Sequence, residues 1–437
     1  MRRTRVEALW GLTRAYGFLS RADLASAERA AAEGVEIGQA AGDAWVVGLV
    51  ELTLGGSYVL AGQPARAVEP LSRALHLFRE CGDSFGRAAS RLWLSLGYLD
   101  LAQTEHFISC VDDLLALCEM HHYEFLFTAP TLLGPPDTRR LAPILIEARD
   151  RRVRSAYAAR LLAAIGLPEI KAHPGYRLRI QMLGAFRVWR GAVEIEPREW
   201  QRDKARQLFQ LLLTQRGRWL QREEIVERLW PALSPEAAAR DFKVALNALN
   251  RAIEPRRSAD APFAFIVREG AAYRIRPEAD VWLDVDAFGR ECEAGLRPVD
   301  SNPAEAMGHL QAALRLYEGD YLPDALYEDW ASEERERLLS MYLHAADKLA
   351  GLLIERGQFD DSLQVCQAIL ARDSCWEQAY RLMMMAYVRQ GNRAQALRVY
   401  QRCVGALHDE LGVEPSPATR ALHDRIAQSG EVSLSGL

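Results

Sequence analysis

Residues 234–253 read SPEAAARDFKVALNALNRAI, and this stretch predicts an amphipathic helix that is central to the fold. Ser234 suits the N-cap position, Pro235 the first helical position, and Glu236 complements the positive end of the helix dipole. The apolar residues of one face are spaced four, three and four positions apart: Phe242, Leu246, Leu249 and Ile253. Such a stripe needs a core to pack on, so the opposite face is left to solvent or to a partner.

The opposite arc of this helix carries mainly basic and amide side chains. Its members are Arg240, Lys243, Val244, Asn247, Asn250 and Arg251. A helix fits the major groove of B-DNA, where Arg can bridge two acceptors of guanine and Asn can bridge a donor and an acceptor of adenine. The arc is therefore a candidate surface for reading base pairs. The alternative is an ordinary solvated face, because charged and amide residues are common on protein surfaces.

The charge of the chain is unevenly distributed. The 437 residues carry a net charge of −5. Residues 171–276 hold 21 basic and 12 acidic residues, a net charge of +9, whereas residues 277–437 hold 15 basic and 27 acidic residues, a net charge of −12. A basic segment inside an acidic chain favours a polyanion as its partner.

The amino-acid composition indicates which broad class of protein this chain belongs to. Hydrophobic residues make up 49% and charged residues 26%, which is typical of a globular chain, and the length suits about three domains. No apolar run of about 18 residues occurs, and the basic start lacks a signal-peptide core, so neither a membrane span nor secretion is expected. Seven cysteines without a CxxC pair indicate reduced thiols in a cytoplasmic protein.

Residues 1–170 predict one helix after another. The corner Gly42-Asp43 recurs as Gly82-Asp83, and small and large residues recur loosely at the same spacing. This is the pattern of helical-hairpin repeats, in which small residues let two helices approach closely. We therefore predict a tetratricopeptide-like domain over 1–170 that closes with a helix from Ile144 to Ile165.

Residues 177–277 change period and predict a winged helix. Alternating apolar and polar residues over 177–196 indicate three short antiparallel strands. Helices are expected over 203–215 and 222–230, then the helix already described, then a hairpin over 263–276 that turns at Glu269-Gly270. In this order the hairpin is the wing, and its basic residues, Arg268 and Arg274, would lie along the DNA backbone or minor groove.

Residues 281–428 are helical again. Seven positions from Leu349 to Ile369 match seven from Met383 to Cys403 at one constant spacing, which equals the tetratricopeptide period of about 34 residues. A tail over 429–437 completes the chain. The predicted fold class is thus mostly α, with tetratricopeptide-type repeats flanking an α+β winged helix-turn-helix domain.

Several segments resemble known regulators in the order in which they occur. The winged-helix region is similar to the OmpR/PhoB type, and more narrowly to the antibiotic-regulatory-protein class of bacterial activators, in which a bacterial transcriptional activator domain follows. The N-terminal repeats resemble those of MalT-like regulators. The segments that carry the resemblance are LGAFRVWRG (183–191), WQRDKARQLFQLLL (200–213), LQREEIVERLWP (220–231), YRIRPEADVWLDVDAF (273–288), YEGDYLPDALYEDWASEERERL (317–338) and DELGVEPSPATRAL (409–422).

The resemblance implies an activator that binds direct repeats in double-stranded DNA near promoters and recruits RNA polymerase. It places the outer arc of 235–253 on the recognition helix and Arg268 and Arg274 on the wing. It places Trp230 and Leu233 in the loop that faces polymerase. The repeats would offer surfaces for a small-molecule or protein effector, or for a second copy of the chain.

A second basic group opens the first helix of the winged domain, where Arg202, Lys204 and Arg206 are predicted to contact phosphate or polymerase. The alternative is solvated charge, which Asp203 between them favours.

The sequence gives little support for a catalytic site or a metal site. No P-loop motif and no nucleophile elbow occur, and the spacing of Cys110, Cys118 and His121 matches no structural zinc pattern. We therefore predict no enzyme, no metal and no cofactor. Two other functions stay open: a protein-interaction scaffold that has lost DNA binding, and the regulatory C-terminal part of a larger MalT-like nucleotide hydrolase.

Overall fold

The computed structural model describes residues 2–19, 23–257, 261–297 and 303–428, and the predicted tail over 429–437 lies outside them. The predicted fold class is confirmed, because helices dominate and two small sheets lie in the middle of the chain. By contacts the chain forms two compact units, Met1–Leu178 with Arg190–Val281, and Arg179–Trp189 with Trp282–Leu437. The division into three domains at 1–170, 177–277 and 281–428 stays a prediction.

The first unit begins with antiparallel helices. They are α1 (Arg2–Arg14), which continues into a π-helical turn (Ala15–Leu19), α2 (Leu24–Ala41), α3 (Ala44–Leu60), α4 (Pro64–Glu80), α5 (Ser84–Asp100) and α6 (Thr104–His121). Asp43 and Asp83, the matched residues of the two corners, cap α3 and α5 through their carboxylates. A Cβ on Gly55 would lie 2.4 Å from Leu71 Cγ, so glycine is what lets α3 and α4 approach. The recurrence of these corners is therefore a structural repeat.

The end of this region differs from the prediction. After α7 (Phe125–Thr128) and a 3-10 turn (Thr138–Leu141), two helices stand where one was expected: α8 (Ala142–Asp150) and α9 (Ser155–Ala164). Arg152 and Arg154 between them have φ angles of 62° and 42°. Arg154 Nε also donates to Asp112 on α6 at 2.9 Å. The break carries neither Gly nor Pro, so local sequence gives no sign of it.

The middle of the chain has the element order of a winged helix. The elements are β1 (Leu178–Gln181), β2 (Arg187–Arg190), β3 (Val193–Glu194), a 3-10 turn (Pro197–Trp200), α10 (Asp203–Thr214), β4 (Leu220–Gln221), α11 (Arg222–Leu229), α12 (Pro235–Ile253), β5 (Ile266–Glu269), β6 (Ala272–Ile275) and β7 (Val281–Leu283). One sheet has the order β3-β2-β1-β7 and the other the order β4-β6-β5. The three strands predicted over 177–196 are present.

In the described residues after β7, the regular elements of the second unit are helices. They are α13 (Asp284–Leu296), α14 (Pro303–Leu316), a 3-10 turn (Pro323–Ala325), α15 (Asp329–Glu355), α16 (Phe359–Leu370), α17 (Glu377–Arg389), α18 (Arg393–Leu411) and α19 (Pro417–Gln428). Gly357 and Gly391, the matched glycines of the two repeats, follow α15 and α17 with φ angles of 73° and 76°. Ser362 and Ala396, the matched pair on the next helices, are both fully buried. The sequence repeat therefore places equivalent residues in equivalent positions.

A buried carboxylate anchors the segment that follows β1 within the second unit. Asp284 Oδ2 accepts hydrogen bonds from the backbone N–H groups of Met182 and Leu183 at 2.7 and 2.8 Å. Burial raises the pKa of Asp284 to about 6, although these N–H groups act in the opposite direction. Leu183 also forms an antiparallel bridge with Tyr321. The segment just before β2 is thus fixed to the helical region that follows β7.

None of the described helices is both long enough and apolar enough to cross a membrane.

Candidate nucleic-acid interface

Helix α12 is built as the sequence predicts. The Ser234 hydroxyl accepts a hydrogen bond from the Ala237 N–H at 3.4 Å, and Pro235 occupies the first turn. Phe242 and Leu249 are buried, and the Phe242 ring meets Trp230 and Tyr273 edge-on at centroid distances of 6.4 and 5.1 Å. The apolar stripe therefore faces α11 and β6, which turns the opposite arc outward.

Five of the six predicted residues of that arc are on the surface. They are Arg240, Lys243, Val244, Asn247 and Arg251. Val244 is 40% exposed. Within the described ranges of the chain, neither Arg240 nor Lys243 forms an ion pair. The arc is thus a row of exposed donors with one apolar side chain in it, and its two leading cations are not neutralised by nearby carboxylates.

Asn250 departs from the prediction, because it is only 8% exposed. The chain after α12 folds back over the last turn of the helix, and the Glu254 carboxylate accepts the Ala264 and Phe265 N–H groups at 3.1 and 3.3 Å. Burial raises the pKa of Glu254, against the effect of these hydrogen bonds. Asn250 instead lines a cleft of about 460 Å³ together with Asn247 and Phe263. It is therefore not part of the exposed arc.

The wing forms as predicted, but its two arginines differ. Strands β5 and β6 pair antiparallel, with Arg268 opposite Tyr273 and Val267 opposite Arg274. Arg268 is exposed, and its Nε donates to the Gly270 carbonyl at 2.7 Å. The Arg274 guanidinium instead lies over the Trp219 ring, 4.2 Å from its centroid. Arg268 is thus the freer of the two, while Arg274 is half-buried against an aromatic face.

The loop after α11 contains a second departure from the prediction. Trp230, expected at a surface that meets polymerase, is 6% exposed and packs on Phe242. The indole belongs to the core between α11 and α12, because its ring packs on Phe242 where α11 ends. Leu233, three residues on, is 43% exposed. Only Leu233 of this pair is therefore available to a partner.

The basic group at the start of α10 is partly engaged. Arg202 is exposed at the N-cap position, where its side chain makes no capping hydrogen bond. The Lys204 ammonium lies 5.8 Å from the Trp230 ring centroid, and Arg206 is half-buried with a contact of its own. The structure thus does not gather the three cations into one exposed patch, and Arg202 is the most accessible of them.

The C-terminal end of α12 is held by residues that sequence reasoning did not single out. The Tyr176 hydroxyl donates to the Ile253 carbonyl, and Arg190 Nη1 donates to the Ala252 carbonyl, both at 2.7 Å. These bonds satisfy carbonyls that a helix terminus otherwise leaves without partners. Burial raises the pKa of Tyr176, with the charge of Glu254 acting in the same direction.

The segment that holds α12 is itself anchored by Asp280. This carboxylate is 5% exposed, accepts Arg177 Nε at 2.6 Å, and is also bound by Arg139 and His173. Burial alone would raise the pKa of Asp280, but the hydrogen bonds from His173 and Arg177 and the charge of Arg139 outweigh it and hold the pKa below its usual range. The N-terminal repeats and the winged helix therefore meet at one buried ion cluster.

Arg256 and Arg257 were also missed. They follow α12 directly, and Arg257 lies over the Phe263 ring at 4.0 Å while Arg256 is exposed. The only sequence signal for Arg256 and Arg257 is that two adjacent arginines begin three residues after the end of α12.

Metal chemistry has no visible site in the described ranges. No group of three or more His, Cys, Asp or Glu side chains there is arranged to hold an ion. All seven cysteines are free thiols. Burial raises the pKa of Cys118, the centre of the Cys/His cluster, to about 12. A thiol that resists ionisation is a poor metal ligand.

Known proteins are similar to part of this chain. The bacterial transcriptional activator domain matches residues 283–427. The regulatory protein AfsR of Streptomyces coelicolor is 27% identical over 266 residues, which cover 60% of this chain and 25% of AfsR. The regulatory protein DnrI of Streptomyces peucetius is 26% identical over 255 residues, which cover 58% of this chain and 93% of DnrI. The matched region is thus about a quarter of AfsR but nearly all of DnrI.

One solved structure supports the fold. The structure of EmbR from Mycobacterium tuberculosis, in complex with a low-affinity phosphopeptide, has a TM-score of 0.50 and 22% identity, and covers 59% of this chain and 67% of its own. The likeness concerns the fold alone. The domain match over 283–427 and the similarity to AfsR and DnrI confirm the resemblance to bacterial transcriptional activators, whereas the resemblance of the N-terminal repeats to MalT-like regulators stays a prediction. The chain therefore carries a match to the bacterial transcriptional activator domain after a region with the element order of a winged helix, and it is similar to bacterial regulators such as AfsR and DnrI.

Proposed function

We propose that this chain binds double-stranded DNA sequence-specifically and activates transcription. The observation that carries the proposal is the row of exposed side chains on α12, within a segment whose net charge is +9. A helix whose apolar face is fully packed gains nothing in stability from unpaired cations on its outer face. A polyanion supplies the negative charge that the row lacks.

The spacing of the row suits one edge of a helix in the major groove. Steps of three, one, three and four positions separate Arg240, Lys243, Val244, Asn247 and Arg251, which keeps all of them on one face. At about 1.5 Å per residue the row is about 16 Å long, which corresponds to about five base pairs.

Each residue type in the row has a different use. We assign Arg240 and Arg251 to guanine or phosphate, Asn247 to adenine, and Val244 to a thymine methyl group. Lys243 on the helix and Arg268 on the wing are assigned to phosphates, which supply affinity and register but not sequence choice.

The activating half of the proposal rests on the C-terminal domain. The match to a bacterial transcriptional activator domain and the similarity to named regulators support recruitment of RNA polymerase at promoter direct repeats in the cytoplasm. Leu233, exposed beside the start of α12, is the residue we assign to a polymerase contact. The helical repeats are assigned to an effector or to a second copy of the chain.

The test begins with selection of bound duplexes from a random DNA pool. Affinity for the selected duplex is then compared between the wild type and the variant Arg240→Ala/Lys243→Ala. Two lost contacts of about 1–3 kcal/mol each predict a loss of affinity of about 100-fold or more. The salt dependence of binding should also become shallower, because fewer counterions are released.

A charge-matched control separates recognition from general attraction. Arg290 and Lys348 are exposed on α13 and α15, so Arg290→Ala/Lys348→Ala removes the same charge from the activator domain. This variant should retain its affinity within about two-fold, since its charges are not among the proposed contacts. Equal affinity of all three proteins, or failure to enrich any duplex, would favour the interaction scaffold instead.

A further inference from the structure

A second recessed site lies in the first unit, away from the exposed arc. It is a cleft of about 370 Å³, at the ends of α3 and α5 and beside the segment that follows α12. The residues that matter here are Leu96, Leu99, Asp100, Arg140, Pro143 and Arg256. Clefts of about 300–1,000 Å³ with an apolar lining and a few polar groups are the usual form of small-molecule sites.

The charges in this cleft do not balance. Arg140 Nη2 lies 3.7 Å from the Asp100 carboxylate and donates to the Val59 carbonyl at 3.3 Å. Arg140 Nε is buried and has no hydrogen-bond partner among the residues that the structure describes. Arg256 brings a second guanidinium to the wall, 3.5 Å from where a Cβ on Gly62 would stand. Among the lining residues two cations therefore face one carboxylate, while Asp137 acts on Arg140 from outside the lining.

The ionisation of these groups reflects the imbalance. Burial lowers the pKa of the Arg140 guanidinium, and the charge of Arg256 acts in the same direction while that of Asp100 opposes it. Burial raises the pKa of Asp100, against the pull of both arginines. Asp100 and Arg256 are themselves exposed, so the cleft opens to solvent, and an incoming anion would relieve the repulsion between the two arginines.

The cluster around Asp280 shows what a purely structural arrangement looks like. There, Arg177 Nε approaches the carboxylate to 2.6 Å and the carboxylate is 5% exposed. In the cleft, by contrast, the shortest contact between Arg140 and Asp100 is 3.7 Å, and the Asp100 side chain is 41% exposed. A long ion pair between Arg140 and Asp100 contributes little to the stability of the fold. Stability alone therefore explains poorly why a second guanidinium, that of Arg256, lies beside the cleft.

We propose that this cleft binds a small organic anion, with Arg140 and Arg256 holding its carboxylate or phosphate group. Guanidinium groups suit both chemistries because they offer paired N–H donors in a plane. Leu96, Leu99 and Pro143 would contact an apolar body, which distinguishes the ligand from inorganic phosphate. Asp100 adds a preference for a hydroxyl or amino donor on that body.

Two walls of the cleft are also close in sequence to residues that form the end of α12 or bind to it. Arg256 lies three residues after Ile253, the last residue of α12. Gly175, on the opposite wall, is next to Tyr176, whose hydroxyl binds the Ile253 carbonyl. A ligand held here would therefore lie beside the segment that follows α12 and beside the segment that carries Tyr176.

The experiment titrates the full chain with three matched probes by isothermal titration calorimetry, without DNA. Phenyl phosphate and benzoate carry the two anionic groups on one apolar body, and benzyl alcohol is their neutral counterpart. At least one anion should bind while benzyl alcohol does not. The anion that binds identifies the chemistry of the group.

Variants show whether the cleft is the binding site. Arg256→Gln and Arg140→Gln should each lower the affinity for the binding anion about ten-fold or more, because each removes a charged hydrogen bond. Arg79→Gln is the matched control, since Arg79 is exposed in the last turn of α4, at the end of that helix away from Pro64. It should leave the affinity unchanged, and Arg256→Gln, on the surface, should melt as the wild type does.

Three results would overturn the proposal: no binding of either anion, equal binding of benzyl alcohol, or equal loss in Arg79→Gln and Arg256→Gln. Since no DNA is present, none of them bears on the proposed DNA binding.

Discussion

Asn247 and Asn250 lie about one turn apart on α12. Asn247 is exposed, whereas Asn250 is buried, with 8% of its surface accessible. The same contrast holds for the two ends of the helix. Its first three turns present unpaired cations, whereas its last carbonyls accept hydrogen bonds from Tyr176 and Arg190. One end is thus free for a partner, and the other end is fixed to the body of the first unit.

The difference teaches that identical residues on one helix can have unrelated roles. The free end contributes nothing that the folded chain itself needs, so changes there should affect binding and leave stability intact. The fixed end is bonded to a segment that also binds Asp280, so changes to the buried residues there should affect stability and leave binding intact, whereas Arg251 on the outer face belongs to the proposed row. The predictions below test this separation.

The largest effect is expected from Asp280→Ala. Removing this carboxylate leaves Arg139, Arg177 and His173 around an uncompensated site, and breaking a buried ion pair costs about 3–5 kcal/mol. The free energy of unfolding, measured by urea denaturation of the full chain, should fall by about that amount. Glu33→Ala is the control, because it removes an exposed pair with Arg5 and should cost about 1 kcal/mol or less. Equal losses in the two variants would remove the case for a fixed end.

The ion cluster around Asp280 should also make the free energy of unfolding depend on pH in acid. The folded pKa of Asp280 is lowered, so its contribution is fully present above the unfolded value of about 3.9 and is lost as pH falls through the folded pKa. Between about pH 4 and pH 2 the wild type should therefore lose stability more steeply than Asp280→Ala. Parallel curves in denaturation experiments across this range would contradict the ion cluster.

An intermediate effect is expected from the asparagine pair. Asn247→Ala should weaken binding to the selected duplex about ten-fold, as expected for one lost base contact, without lowering the melting temperature. Asn250→Ala should leave affinity within about two-fold, because a buried amide reaches no base. The affinities of both variants and of the wild type are measured by electrophoretic mobility shift at one fixed salt concentration. If Asn250→Ala weakened binding as much as Asn247→Ala, the two ends of α12 would not differ in role.

The smallest effect is expected from Tyr176→Phe. This variant removes one hydroxyl and leaves the Ile253 carbonyl without its partner, which should cost about 1–2 kcal/mol of unfolding free energy. DNA affinity should stay within about two-fold of the wild type, because the ring still packs near Phe265. A large loss of affinity with little loss of stability would mean that the fixed end positions the free end directly.

The sequence by itself determined the elements and their order. The caps at Ser234, Asp43 and Asp83, the apolar spacing in α12 and the spacings of the two helical repeats depend on neighbours within a few turns. Such interactions are local, so a single sequence is enough to place helices, strands and the outer arc. The family resemblance came from motifs of the same kind.

Only the tertiary structure decided which predicted residues face outward and which sites are assembled. Trp230 and Asn250 are buried by segments that pack on them, and the break between α8 and α9 is fixed by contacts with α6. The cluster around Asp280 joins residues up to 141 positions apart. The physical reason is that burial and charge pairing depend on which distant segments come together, and no local periodicity records that choice.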